Sequence, residues 1–527
     1  MLSAIRIGRK VVTISFRIAR PSHSVRSGSL PLTTALRRGT LLIALAVLLS
    51  SHSNAQGRWL AVGPFGGDVR SLAADPNNHK RMYLGTRTGQ IYLTKDGGES
   101  WSLLPGFHAA SDWVVDGIVI SPADPAVIYA SAWSVGRETG GVFKSADAGA
   151  TWTELEGIRG QSVRALAMAP SSSKTLVAGS LQGVFRTDDG GATWRRISPA
   201  GHQEIRNVES IAIDPRRPDV VYAGTWHLPW KTSDGGAHWA SIKNGLIDDS
   251  DVFSIIVDGA HPETLYASAC TGIYRSDSGG EQWRKLQGIP YSSRRTRVLM
   301  MDPQDPSTVF AGTTEGLWRT KNGGESWARL TSHTLVINAV AIDRADSRHV
   351  YLGTDQSGVA ESHDGGESFS SSNRGFAQRQ VSSIVADPAR KGRYYAALVA
   401  DGQLGSVMLT DNYGGSWRPA ATGLDGRDVL TLLLTTQPQW KLLAGTPDGV
   451  FELTEDRPAW QSRSQVQSVP NGPFSPASGI TFWQLYRRDG QEPIYAATSA
   501  GLLRSADGRS WTRLPLDAAR EIGRAHV

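Results

Sequence analysis

The sequence predicts an all-β fold, a β-propeller of four-stranded blades, and three observations predict it. A short box, Ser/Thr-x-Asp-x-Gly-x-x-Trp, recurs about every 45 residues along the 527-residue chain. Each box ends a longer unit in which short apolar runs alternate with Asp-Pro, Gly-Thr and Gly-Gly turns, the signals of strands joined by tight hairpins. An all-β period of about 40 to 45 residues is that of propeller blades.

The boxes run in order. Thr94, Asp96, Gly98 and Trp101 form the first; Ser145, Asp147, Gly149 and Trp152 the second; Thr187, Asp189, Gly191 and Trp194 the third; Thr232, Asp234, Gly236 and Trp239 the fourth. Drifted copies follow: Ser278 replaces the Asp before Trp283, Asn322 before Trp327 and Asn412 before Trp417, and Phe369 replaces the Trp after Asp364. The copy ending at Trp460 keeps Thr454 and Asp456, and the one ending at Trp511, with Asp507, is a residue short. Val208 to Trp239 is a typical unit: a strand with Ile211 and Ile213, the turn Asp214-Pro215, a second strand Val220 to Thr225, then the box.

The box carboxylates are expected to be structural. A short acceptor beside Gly-Gly is what a tight strand-to-strand turn needs, because Asp and Asn bond nearby backbone N–H groups while Gly takes positive φ. The Trp then packs between blades. Asp96, Asp147, Asp189, Asp234, Asn322, Asp364, Asn412 and Asp507 therefore belong to turns.

Ten units result, to be closed as one ring of ten or as a ring of seven (residues 56–375) followed by three further blades (376–520) of a truncated second ring. The sequence favours seven plus three, because the box with Phe369 marks the seventh unit, and Arg58-Trp59-Leu60 reads as an outermost strand completing the last blade of a ring.

On these boxes the chain, over roughly residues 57 to 515, resembles the Asp-box (bacterial neuraminidase repeat) propellers, which include sialidases, xyloglucan-cleaving glycoside hydrolases, the sortilin receptor domain and the photosystem II assembly factor. The resemblance implies that the boxes face away from the working surface. It departs from each relative in turn. Sialidases carry an Arg-Ile-Pro segment where this chain has Gly63-Pro64-Phe65-Gly66-Gly67; xyloglucanases carry a catalytic Asp after an Arg-Thr pair, where Arg87-Thr88 is followed by Gly89-Gln90; the cysteine-rich module of sortilin is missing. Arg294, Arg295 and Arg297 loosely resemble the Arg patch of the assembly factor.

The net charge of +6 is an effect of the leader. Residues 1 to 55 hold eight Lys/Arg and no acid, and the remainder has 47 basic against 49 acidic residues, so no nucleic-acid partner is expected. Arg37-Arg38, the apolar run Thr40 to Leu49 and the small residues Ser53 and Ala55 read as an export signal cleaved after Ala55. The run is too short to anchor the chain in a bilayer. Residues 1 to 36 read as an upstream start or as the first half of a two-part address. Cys270 is the only cysteine, so the fold carries no internal disulfide, which suits a secreted or periplasmic bacterial protein. Residues 521–527, Glu-Ile-Gly-Arg-Ala-His-Val, read as one translated frame of a sequencing adapter.

Function is expected on the face opposite the boxes, formed by second-to-third-strand loops and blade-to-blade connections. Two loops there are enriched: Ser131 to Gly140, with Trp133, Arg137 and Glu138, and Thr225 to Trp230, with Trp226, His227 and Trp230. The connections add His108, Asp112 and Trp113; His202, Glu204 and Arg206; Asp248, Asp249 and Asp251; Tyr291, Arg294, Arg295 and Arg297. Trp and Arg bury area and pair with planar or anionic groups, so Trp113, Trp133, Arg137, Trp226, His227, Trp230, Tyr291, Arg294 and Arg295 are the candidate ligand-binding residues. Trp133, Trp226, His227 and Arg295 are expected around one depression. No Cys/His metal spacing, phosphate loop or nucleotide fingerprint occurs, so neither metal nor cofactor is expected. The reading is an exported, monomeric propeller that binds a polysaccharide or a protein partner. The alternatives are a xyloglucanase-like glycoside hydrolase, drawing two carboxylates from Asp112, Glu138, Asp248, Asp249 and Asp251, and a periplasmic or lumenal assembly factor.

Overall fold

The computed structural model describes residues 62–63, 65–107, 112–293, 295–399, 405–463, 465–466, 480–488 and 493–514. The leader, the adapter-like residues, His108 and Arg294 lie outside them. Among the described residues strands form ten antiparallel sheets and the only helices are two single 3-10 turns, so none is long and apolar enough to cross a membrane.

Nine of the sheets are four-stranded meanders in chain order. The fourth blade shows how sequence makes one: Val208–Ile213 pairs with Val221–Thr225, that with Pro229–Thr232, and that with the short outer strand Ala240–Ser241. Asp214 ends the first strand because its buried carboxylate accepts the backbone N–H groups of Arg216 (2.9 Å) and Arg217 (3.0 Å). The tenth sheet gains a fifth strand, Gln465–Val466, parallel to Ser510–Arg513.

The box is a closed hydrogen-bond unit. In the fourth blade the Thr232 hydroxyl donates to Asp234 Oδ1 (2.9 Å) and accepts from the Gly236 N–H (2.9 Å), while Asp234 accepts the His238 N–H (2.9 Å). Gly236, at φ +98°, has no room for a side chain, since a Cβ would lie 2.4 Å from that of Ile197. The drifted boxes keep the chemistry: Asn322, Asn412 and Ser278 each accept the N–H four residues on, at 3.0, 2.8 and 3.0 Å.

The box Trp links blades. Trp239 Nε1 donates to Ile197 O, Trp283 to Ile242 O and Trp460 to Ala420 O, each a carbonyl of the preceding blade, at 2.7 to 2.8 Å. By the same bond Trp101 of the first blade reaches Ser372 O of the seventh, 271 residues away, at 2.8 Å. The innermost strand of the seventh blade (Ile337–Ile342) packs against that of the first (Val69–Asp75), and Tyr351 donates to Gly97 O at 2.6 Å. Seven blades thus close upon themselves. Trp417 of the eighth blade instead donates to Val62 O (2.7 Å), so the segment before the first blade stands where a preceding blade's outer strand would. Blades eight to ten then succeed one another by packing of Gln380–Ala386, Thr431–Thr435 and Phe482–Tyr486.

The core lies between blades. Clusters such as Tyr222, Leu265, Tyr274 and Trp283, or Tyr83, Val115, Ile128 and Phe107, draw on one face of each of two neighbouring sheets.

Candidate functional site

Each innermost strand of the seven-bladed ring slips register by one residue near its start. The pairing of Val69 and Ser71 with the second strand skips Arg70, and in the following blades it skips Asp116, Arg164, Glu209, Phe253, Arg297 and Asn338. A β-bulge leaves its extra residue unpaired and re-aims its side chain. All seven line one depression of about 580 Å³, together with Trp133, Trp226, Asp251, Arg295 and Thr314. The ring therefore presents the sequence Arg, Asp, Arg, Glu, Phe, Arg, Asn around its mouth.

The charges alternate and pair. Arg164 donates to Glu209 Oε1 at 2.8 Å, and the same oxygen accepts Trp226 Nε1 at 2.8 Å. Trp133 Nε1 donates to Asp116 Oδ2. The Arg164 guanidinium lies 4.2 Å from the centre of the Trp133 ring and 5.7 Å from that of Trp226, so both indoles are held by a carboxylate at the edge and share one cation. Arg70 pairs with Asp68 at 3.2 Å, Asn338 donates to Asp68 Oδ1 at 3.3 Å, and Arg297 donates to Asn338 Oδ1.

Burial shifts the acids here. Asp116 and Glu209 are raised by desolvation, opposed chiefly by Arg70 and by Arg164 respectively. Asp251 is raised by desolvation and by Asp249. Asp68, beneath the depression, is raised to about 7 by burial, with Arg70 opposing and Asp355 reinforcing.

Of the sequence candidates, the structure brings Trp133, Trp226, Arg295, Arg297 and Asp251 into the depression. His227 stands beside them but outside the lining, its Nδ1 3.3 Å from Asp249. Trp226 is 44 % exposed and open to a ligand. Others are placed elsewhere. Trp230 is only 8 % exposed and packs edge-on against His202 (5.1 Å), so it belongs to the core, correcting its assignment to the ligand surface. Trp113 likewise packs edge-on against Phe143 (5.9 Å), because the strand beginning there turns the indole inward. His202 Nδ1 accepts the N–H groups of Glu204 and Ile205, a loop-forming role. Tyr291 lines a separate hollow of about 190 Å³ with Lys285 and Trp327.

Of the carboxylates proposed for hydrolysis only Asp251 lines the depression. Asp112 accepts from Ser134 (2.8 Å) and Arg137 (3.1 Å), bonds that hold it below the ordinary range, and with Arg137 it lies outside the depression. Glu138 and Asp248 also lie outside it, and Asp249 is a 90 % exposed rim residue. Asp116 and Glu209 were not singled out by sequence. Their signal was a column: a charged or bulky residue immediately after a valine at or near the start of the inner strand, as in Val69-Arg70, Val115-Asp116, Val163-Arg164 and Val208-Glu209. The loop Arg87 to Gln90 holds an amide network instead of an acid, with Thr88 donating to Gln378 Oε1 (2.7 Å) and Gln378 Nε2 to Gln90 Oε1 (2.6 Å).

No protein-family model matches the sequence, and no curated protein matches it. Among solved structures the chain is similar to an ancestral GH74 enzyme (16% identity over 85% of this chain and 68% of that one, TM-score 0.65). It is similar also to a GH74 xyloglucanase of Xanthomonas campestris (17%, 88% and 95%, TM-score 0.55) and to PorZ, a surface component of the type-IX secretion system of Porphyromonas gingivalis (14%, 86% and 59%, TM-score 0.53). At these identities the likeness is one of fold, that of β-propeller proteins.

Proposed function

We propose that this is an exported propeller protein that binds a polysaccharide in the depression at the mouth of its seven-bladed ring. The observation that carries the reading is the convergence of seven bulge side chains with Trp133 and Trp226. An exposed indole offers a flat apolar face to the C–H surface of a sugar, and ringed carboxylates and guanidiniums offer acceptors and donors to its hydroxyls. A concave site with a few converging polar groups is the usual form of a ligand pocket. A protein partner, the other occupant the sequence suggests, would meet the same Trp and Arg surface.

A second reading, glycoside hydrolysis, is favoured by one observation: burial keeps Asp116, Glu209 and Asp251 towards their protonated forms, as a general acid requires. Against it stands the acid-free loop Arg87 to Gln90. The test is to incubate the protein with a panel of plant and bacterial polysaccharides, scoring retention on each and release of reducing ends. Retention without release supports the binding reading. Release that disappears in Asp116→Asn or Glu209→Gln supports the hydrolase, and no retention of any polysaccharide counts against both.

A further inference from the structure

On the box-bearing face, at the seam between the seventh and first blades, three side chains converge that the depression does not use. His349 enters the second strand of the seventh blade (Val350–Thr354), Glu361 lies on the third (Val359–Ser362), and His363 follows in the box loop. Antiparallel pairing of Tyr351 with Glu361 brings them together across a hairpin. Nε2 of His349 is 2.6 Å and Nε2 of His363 3.3 Å from Glu361 Oε1, and the donor atoms of all three lie within 4.8 Å of one another. His349 and Glu361 are largely buried, while His363 is 70 % exposed. The His349 ring is sandwiched between those of His363 and Tyr351, each centre 4.3 Å away, which fixes its orientation.

We propose that His349, Glu361 and His363 form a binding site for a divalent transition-metal ion of the zinc class. Two imidazole nitrogens and one carboxylate oxygen are the donor set of Zn²⁺, Ni²⁺ or Cu²⁺ rather than of Ca²⁺ or Mg²⁺. The 3.3 Å edge between His363 and Glu361 suits two ligands each about 2.0 to 2.1 Å from a tetrahedral ion. Binding replaces the direct His349–Glu361 hydrogen bond by two metal bonds and leaves the fourth position to water on the exposed side of His363. Asp343 Oδ2 lies 3.9 Å from His349 Nδ1 and adds negative charge on the side away from the ion. Asp346 adds negative charge near His349. The exposed His363 gives an ion a way in.

Its position gives it a consequence. A bound ion ties the first turn of the seventh blade to its box loop, and Tyr351, stacked on His349, donates to Gly97 O of the first blade at 2.6 Å. Occupancy therefore stiffens the seam at which the ring closes and raises its melting temperature, since an ion that binds only the folded state stabilises it.

The test is calorimetric titration of the tag-free, chelator-washed full chain with ZnCl₂, with Co²⁺ absorption as a report of tetrahedral ligation. The expected result is one saturable equivalent and a melting temperature that rises with Zn²⁺. His363→Ala, at an exposed position, folds and loses at least about tenfold in affinity; His349→Gln does the same, and neither variant's melting temperature responds to Zn²⁺. No saturable binding overturns the proposal. So does an affinity that both variants keep, which assigns the ion to another pair such as His238 with Asp234, 2.7 Å apart.

Discussion

Arg164 and Glu209, side by side at the bulges of adjacent inner strands, share a 2.8 Å ion pair whose carboxylate also receives the indole N–H of Trp226. Order in the depression passes through this contact: Glu209 holds the exposed Trp, and Arg164 lies against both Trp226 and Trp133. Replacing Arg164 by Met keeps the stem and removes the charge, leaving the largely covered Glu209 without its cation. The expected loss of stability is about 3 to 5 kcal/mol. Denaturant unfolding of Arg164→Met and of the double variant Arg164→Met/Glu209→Gln checks it, the second recovering much of the loss.

The box Trp and the box Asp are predicted to differ in weight. Trp283, 2 % exposed and bonded to Ile242 O, is expected to cost about 3 to 5 kcal/mol when changed to Ala. Asp189 accepts the N–H of Thr193 (2.9 Å) at an exposed turn, so Asp189→Ala lowers the melting temperature slightly. Both variants, once folded, retain ligand affinity. An Asp189→Ala protein of unaltered melting temperature that no longer binds contradicts the structural assignment of the boxes.

Stability is predicted to fall on both sides of a mildly acidic optimum. Asp68 is raised to about 7 in the fold, so between about pH 4 and 7 the folded state holds a proton that the unfolded chain has lost, and stability declines as pH rises through that window. The box acids work the other way. Asp147, lowered to about 2 by its bonds from Thr151 and Ser145, contributes stability above the ordinary carboxylate range that is lost as pH falls through its folded value. Melting temperatures from pH 3 to 8 are expected to show both slopes, and Asp68→Asn to make only the upper one shallower, since the raised Asp116, Glu209 and Asp251 still contribute to it.

The sequence made the blades legible because turn chemistry is local. Thr232, Asp234 and Gly236 satisfy one another within five residues, and Asn322 or Ser278 can stand in for Asp without hiding the pattern. The site was less legible because it is assembled sevenfold, one residue per blade, at positions about 45 residues apart. Trp133 and Trp226 announced themselves as aromatic residues in long loops, but Asp116 and Glu209 sit inside strands that periodicity of two reads as core, and only the bulge turns them to the mouth. Trp230 misled for the converse reason: it belongs to a third strand, Pro229–Thr232, and the loop before it ends at Leu228. Glu361 and His363 are neighbours in sequence, but His349 meets them only through strand pairing, which no local spacing reports.

The central claim is that the depression of the seven-bladed ring binds ligand through Trp226. The most direct measurement is the dissociation constant of the best-retained polysaccharide, or an oligosaccharide cut from it, for the unaltered protein, Trp226→Ala and Trp327→Ala, whose indole lines the separate hollow beside Tyr291. A loss of at least about 1 kcal/mol, roughly fivefold or more, is expected for Trp226→Ala and none for Trp327→Ala. Equal affinity in Trp226→Ala and the unaltered protein, both folded, would contradict it.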